Sequence, residues 1–559
     1  MDDQGKRLLL ALVISLAFLF VYQNFLMPPG PPPAEEAAEE SPAPQPLDTQ
    51  TAEPSGEAAP AATLEPIAEE AERLITVRTP RYVATLSNRG GAIRSFALEQ
   101  YREDIKDPES HVQMVRTVGE ERALPLSAEF TAAGGPLGFA GALFRPDGRD
   151  LDLAEGQTGQ VVYRYRTPEG LEMVKTLTFS GDDYRVQASV RVLNRSGDPL
   201  GGRLTIAWAP GLEPTADAGA SRRSKASRYG YMGAMYLDGG KTTKIKGAKL
   251  EGSQSFEGQL SWVASMDMYF VAALMPGDGI SGAMARKGSG DRVEVGLYSQ
   301  LRLPPDSAAT VSGSAYIGPK DMAELKKVDP ALARTIELGI FGFIAKPLLD
   351  LLNFFHRYVG NYGVAIIILS TLIKIVFIPF STISHRSMKK TQKLQPQINQ
   401  LKDRYKKDRE KLNQEIMKLY QENKVNPMGG CLPILVQIPV FFALYRARLG
   451  AIELRHAPFY FWIQDLSAKD PLFITPVIMG ATMVLQQKMT PTAVDPRQEK
   501  IMMFLPVVFT ALFLSFPSGL VIYWTVNNVL TIAHQYFLNK GGEKGAPEAA
   551  EPRKGKKKR

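Results

Sequence analysis

The stretch Val364-Ala-Ile-Ile-Ile-Leu-Ser-Thr-Leu-Ile-Lys374-Ile-Val-Phe-Ile378 sets one lysine inside an apolar run. The run belongs to a segment, about 362–383, of the length that crosses a bilayer. A charge at the centre of such a helix costs about 2.5–3.5 kcal/mol on insertion scales. A chain keeps the charge where water or a polar partner meets it, so Lys374 is a functional-site candidate.

Four further apolar segments follow, about 431–449, 472–488, 501–516 and 519–538. Between the first two lies a polar insert, 385–427, with twelve Lys/Arg against five acids. Leu394, Ile398, Leu401, Leu412, Ile416 and Leu419 recur there at helical spacing, and Pro396 and Lys406–Glu410 interrupt them. The pattern predicts a helical hairpin. Upstream, 331–358 carries Ile336, Leu338, Ile340, Phe341 and Phe343 beside Glu337, Lys346 and Asp350. This predicts an amphipathic helix on the membrane surface.

The N-terminal half differs. Leu8–Met27 is apolar and follows Lys6 and Arg7. No small-x-small cleavage site precedes Pro28-Pro29, so an uncleaved anchor is expected over 1–27 rather than a signal peptide. Residues 28–72 form a Pro/Ala/Glu-rich linker with eleven acids and no Lys or Arg, too polar to bury a core. Residues 73–330 are β-rich. In Tyr184–Val192, Tyr184, Val186, Ala188, Val190 and Val192 alternate with polar partners, which predicts a half-buried strand. Gln160–Arg166 and Leu204–Trp208 read alike, and a large antiparallel sandwich is expected. Ser221-Arg-Arg-Ser-Lys225 reads as a solvated loop, not a catalytic cluster.

Charge sets the topology. The insert 385–427 and the tail 539–559 are basic, and loop 450–471 is not. An N-terminus in the cytosol and six spans return the C-terminus to the cytosol with the basic segments beside it. The β domain is then periplasmic and the protein a multi-pass inner-membrane protein. One cysteine, Cys431, excludes an intrachain disulfide and a C-x-x-C pair, and five scattered histidines give no zinc spacing. No Walker A pattern is visible, and no cofactor is expected.

Inside the spans, polar residues recur. A rise of 1.5 Å per residue puts Lys374 about 18 Å below the outer end of its helix. Ser370 and Thr371 lie one turn before it. The same counting puts Gln437 about 9 Å from the cytosolic end of its span. Gln486 lies near a cytosolic end, and Tyr523, Asn527 and Thr531 form an i, i+4, i+8 stripe, with Tyr523 higher. No Asp or Glu occurs inside these spans. The expected arrangement is a hydrated cavity open to the cytosol, with Lys374, Ser370, Gln437, Gln486, Asn527 and Thr531 in its wall. Single polar residues such as Asn528 or Thr482 read instead as glue between helices.

Five segments carry a family resemblance: Lys424-Val-Asn-Pro-Met-Gly-Gly-Cys-Leu-Pro433, Gln437-Ile-Pro439, Phe461-Trp-Ile-Gln-Asp-Leu-Ser467, Gln487-Lys-Met-Thr-Pro491 and Phe516-Pro-Ser-Gly-Leu520. With them the chain resembles the YidC-type membrane protein insertases of Gram-negative bacteria over nearly its full length. The resemblance implies a five-helix insertase core, a periplasmic β-supersandwich and a cytosolic hairpin that receives clients. It implies a protein that is not an enzyme. It implies nascent membrane proteins, the ribosome, the Sec translocon and lipid as partners, without sequence-specific nucleic acid. It implies client contacts at Ile438, Pro439, Phe441, Tyr523 and Trp524. The family's groove cation is usually arginine, and Lys374 departs from that: it keeps the charge and loses the planar fork. The basic tail Lys554–Arg559 is similar to ribosome-contacting tails, and equally suits a solvated terminus that enforces topology.

Two other classes fit the same residues less well. A secondary transporter would also hold a buried cation at Lys374, but should show repeated halves, and none is visible. An intramembrane serine protease would need Ser518 beside His534, which lie about 24 Å apart along one helix.

Overall fold

The computed structural model describes residues 67–115, 124–208, 233–245, 250, 252–287, 293–406, 408–425, 432–490 and 496–543. The expected anchor 1–27, the linker up to residue 66, the 221–225 cluster and the tail beyond residue 543 lie outside them. The chain divides into two units, and residue 337 closes the β-rich one.

The β-rich unit holds a nine-stranded, a six-stranded and a five-stranded sheet. Hairpin Leu171–Ser180/Arg185–Asn194 forms part of the nine-stranded sheet, with Leu177 opposite Ala188. Tyr184, Val186, Val190 and Val192 are all fully buried, as their alternation predicts. Both smaller sheets pack on the same face of this large one. Tyr82 of the five-stranded sheet lies 6.5 Å from Tyr184, and Leu297 of the six-stranded sheet lies against Gly313. One facing sheet could not cover nine strands, so the expected sandwich has a divided second layer. One parallel pair, Val77 with Leu151, interrupts the antiparallel pattern. The end of the expected linker is already part of this unit. Ile67 bridges to Arg166, and Glu72 pairs with Arg94 at 2.7 Å. A short helix, α1 (Met322–Val328), capped by Asp321, closes the unit with a 3-10 turn at Pro330–Thr335.

The second unit is helical. Its elements are α2 (Gly342–Val359), α3 (Tyr362–Lys393), α4 (Gln395–Arg404), α5 (Arg409–Glu422), α6 (Leu432–Leu449), α7 (Ile474–Met489), α8 (Pro496–Phe513) and α9 (Ser518–Glu543). The helix expected from residue 331 begins only at Gly342, because Gly339 at φ 69° breaks the chain direction. Helix α2 ends on Gly360 in the left-handed conformation, and Asn361 then caps α3 by accepting from Val364 N at 3.1 Å. Helix α3 carries Pro379 within it and runs ten residues past the expected end at 383, since no Pro or Gly lies between 383 and Pro396. Among the described residues, α3 alone is both long and apolar enough to cross a membrane by itself. Leu394 and Ile398 pack with Ile416, Leu419 and Val425, which folds α4 and α5 against each other.

Side-chain pairs fix the helix directions. Lys374–Thr531 and His385–Asn539 ascend together, so α3 and α9 run parallel. Thr482–Asn528 and Thr490–Gln535 make α7 parallel to α9. Gln437–Tyr523 and Tyr445–Phe516 run in opposite order, so α6 is antiparallel to them. Small residues permit the close packing: a Cβ on Gly480 would stand 2.1 Å from Thr510 Oγ1, where α7 meets α8. The apolar core lies among α2, α3, α6 and α9, with Leu352, Ile366, Leu369, Leu444 and Val521 buried in it.

Candidate functional site

Helix α9 presents two polar stripes. One faces α3. Lys374 Nζ donates to Thr531 Oγ1 at 2.7 Å, and that hydroxyl donates to Asn527 O at 2.6 Å. One turn further, Thr382 Oγ1 lies 3.1 Å from His534 Nε2, and His385 Nε2 lies 3.1 Å from Asn539 Oδ1. The other stripe faces α7. Asn528 Nδ2 donates to Thr482 Oγ1 at 3.1 Å, and Gln535 Nε2 to Thr490 Oγ1 at 3.0 Å. Asn528 and Thr482 are thus glue between helices, as read from the sequence.

Lys374 is 9% exposed. An ammonium carries three donors. One is used on Thr531, and among the described residues no carboxylate pairs with it and no second acceptor is within reach. Ser370, buried one turn earlier, donates to Ile366 O of its own helix at 2.6 Å and does not bond the cation. Gln486 falls between Thr482 and Thr490, at the level of Thr531, and its backbone carbonyl accepts from Thr490 Oγ1 at 2.8 Å.

Gln437 differs from its expected depth. Its Nε2 donates to Tyr523 OH at 3.1 Å. Tyr523 is eight residues before Thr531, or about 12 Å along α9, so Gln437 lies well toward the start of α9 and apart from Lys374. The apolar runs do not all begin at one membrane level. Helix α6 is shorter than α3 and α9, and its first residue, Leu432, is level with about residue 528 of α9. Beyond that level α6 does not extend along the seam that holds Lys374 and Thr531.

Of the expected client-contacting residues, Phe441 and Trp524 belong to an aromatic wall. Phe441 meets Trp524 edge-on at 5.1 Å, and Phe513 and Phe509 pack on the same indole. Ile438 is 42% exposed, while the Tyr523 ring is buried and meets Gln437 through its hydroxyl. Ser518 is buried, and its hydroxyl donates to the carbonyls of Asp465 and Ala468, which suits a latch rather than a nucleophile.

Asp470 was missed in the sequence. Buried in the loop before α7, its carboxylate accepts from Trp462 Nε1, Leu472 N, Thr475 N and Thr475 Oγ1. Burial pushes its pKa up, but these hydrogen bonds outweigh burial and hold the carboxyl below its ordinary value. An acid two to five residues before an apolar helix is the signal that could have found it.

A large β domain followed by apolar helices with a polar seam is the build of an integral membrane protein with a water-soluble part. The family description "60Kd inner membrane protein" matches residues 354–545, and "YidC periplasmic domain" matches residues 74–351. The membrane protein insertase YidC of Syntrophus aciditrophicus is 41% identical over 554 residues, covering 96% of this chain and 99% of the relative. That of Geobacter sulfurreducens is 41% identical over 540 residues, covering 96% and 98%. A crystal structure described as an active YidC insertase with its first transmembrane domain resolved aligns at 18% identity and a TM-score of 0.37, covering 84% of this chain and 94% of that one. A putative aldose 1-epimerase from Escherichia coli aligns with 44% of this chain at a TM-score of 0.28. The chain belongs to the YidC family of inner-membrane protein insertases and carries that family's periplasmic domain.

Proposed function

We propose that the helical unit inserts client proteins through a hydrophilic half-channel between α3 and α9, open to the cytosol. The observation that carries this reading is Lys374: a buried ammonium that, among the described residues, has one hydroxyl partner and no carboxylate, which leaves two N–H groups to spare. Water, or the polar segment of a client, takes those donors. Asn527 and Thr531 line the passage, and Gln486 stands at the same level on α7. The aromatic wall of Phe441 and Trp524 and the exposed Ile438 receive the client's apolar span as it partitions into lipid. Partition supplies about 0.3–0.6 kcal/mol per Leu-like residue, so no nucleotide is required.

Six spans with both termini in the cytosol fit the helix directions. If α3 enters from the periplasmic side, its parallel partners α7 and α9 do the same, and antiparallel α6 returns. The α4–α5 hairpin and the basic tail are then cytosolic, where they meet the ribosome and nascent chains, and the Sec translocon is a lateral partner.

The test is a stalled nascent chain with an acidic N-terminal tail and a photo-crosslinker at Asn527 of the insertase. Crosslinking at 527, and little at the outward-facing Val508, is expected. Equal yields at the two positions would remove the half-channel.

A further inference from the structure

The loop joining α6 to α7 is more tightly built than a connection requires. His456, Phe461 and Phe473 all hold positive φ, near 57–59°, a conformation that side-chain-bearing residues adopt only when their surroundings enforce it. The enforcing contacts are visible. Ala457 O accepts from Leu466 N, and Phe459 N donates to Ile463 O at 3.0 Å. Asp465 Oδ1 accepts from His456 N, Ser467 N and Ser467 Oγ. The result is a tight turn at Phe459–Ile463. Phe459 and Trp462 tuck toward the protein, while Phe461 is 87% exposed and Tyr460 54% exposed.

The turn is also docked at one level of the bundle. The Phe459 ring covers Gly363 in the first turn of α3, where a Cβ would stand 2.0 Å from it. Phe459 O accepts from Asn361 Nδ2, the cap of α3. On the other side, Leu466 O and Ala468 O accept from the first amides of α9, Gly519 and Ser518. Asp470 holds Thr475 in the first turn of α7. One loop therefore ties together the starts of the three parallel helices and holds Phe461 and Tyr460 at that level. If those helices cross the membrane, the level is the outer boundary between headgroups and acyl chains, where amphipathic and aromatic rings are favoured.

We propose that the Phe459–Ile463 turn is an anchor whose Phe461 and Tyr460 rings insert into the outer leaflet at its interface. The partner is the phospholipid surface. A bulky apolar ring held in a strained backbone by so many hydrogen bonds is costly in water and favourable in lipid. The anchor fixes the depth of the starts of α3, α7 and α9 while clients pass on the other side of the bundle.

The proposal rests on the membrane-spanning reading of those helices, and one experiment separates the two. The full chain, with Cys431→Ser, carries a nitroxide at Tyr460→Cys, at Phe461→Cys or at Ile375→Cys on the exposed face of α3. It is placed in phosphatidylethanolamine–phosphatidylglycerol vesicles, and collision with oxygen is compared with collision with a water-soluble nickel chelate. Oxygen should dominate at all three sites. Adding Phe461→Ser to the label at 460 should lower the oxygen-to-nickel ratio at least twofold. Oxygen dominance at 375 with nickel dominance at 460 and 461 would overturn the anchor and leave the spanning helices intact. Shielding of 460 and 461 from both quenchers would overturn it in favour of a protein partner. Nickel dominance at 375 would overturn the spanning reading and the anchor with it.

Discussion

Lys374 Nζ and Thr531 Oγ1, 2.7 Å apart, join α3 to α9 through a cation and a neutral hydroxyl. The absence of a carboxylate partner among the described residues decides what mutation does. Breaking a buried ion pair strands the remaining charge and costs about 3–5 kcal/mol. Here Lys374→Ala strands nothing charged, and Thr531 keeps its bond to Asn527 O. Lys374→Ala should therefore leave the thermal midpoint in detergent unchanged or raised. Insertion of a client with an acidic translocated tail should fall severalfold in a protease-protection assay. Lys374→Arg should keep most of the activity, because it keeps the charge. A parallel fall in stability and insertion for Lys374→Ala would mean the residue is structural.

Gly480 tests the packing of α7 on α8. A Cβ there would meet Thr510 Oγ1 at 2.1 Å, and that hydroxyl is committed to Pro506 O at 2.7 Å. Gly480→Val should destabilise the helical unit by about 1–3 kcal/mol, the usual cost of overpacking. Gly480→Val with Thr510→Ala should recover much of the loss, which a denaturation series in detergent would measure.

Much of this was legible in the sequence where the signal is local. The strand containing Val186, Val190 and Val192 announces itself by alternation, and Lys374 by its charge in an apolar run. The level of Gln437 was not legible, because it depends on where α6 begins relative to α9. That is set by helix packing and not by the hydropathy of α6 itself. Asp470 and Trp462 escaped for a related reason: their roles come from hydrogen bonds closed across a loop. Lys175 could have been found. It falls in phase with Met173, Leu177 and Phe179 on an inward strand face, where a lysine is out of place.

Asp470 should matter for stability rather than for insertion. Its carboxylate serves three residues, and an orphaned buried donor costs about 1–3 kcal/mol. Asp470→Ala should lower unfolding stability by about 3 kcal/mol or more, and Asp470→Asn by less, since one oxygen remains. Because the folded carboxyl is held below its ordinary value, its contribution is present above the unfolded pKa, about 4, and is lost as pH falls further. The Asp470→Ala penalty should thus be full at pH 7 and shrink below pH 4 in detergent-solubilised protein.

Lys175 gives the β domain a dependence of the same direction in a more alkaline window. Its Nζ is fully buried and donates to Gly90 O at 3.2 Å and to Leu126 O, carbonyls that border the five-stranded and six-stranded sheets. The lysine stands on the nine-stranded sheet, so one side chain pins all three sheets. Burial lowers its pKa from 10.5 to about 7. The unfolded chain then binds more protons than the folded one between about pH 7 and 10.5, and stability rises with pH across that window. Below about pH 7 both states are protonated and the penalty is constant, on the order of 5 kcal/mol. Lys175→Met removes the titration but leaves two carbonyls without a donor. Hydrogen exchange of the Leu171–Ser180 amides in the full chain, corrected for intrinsic rates, should show wild-type protection rising from pH 7 to 10. The Lys175→Met protection should be flat across the same range. Met at 175 should compare best with wild type near pH 7 and worst near pH 10, where the neutral amine donates without a charge penalty. A wild-type profile as flat as that of Lys175→Met would show that the ammonium is hydrated in the folded domain.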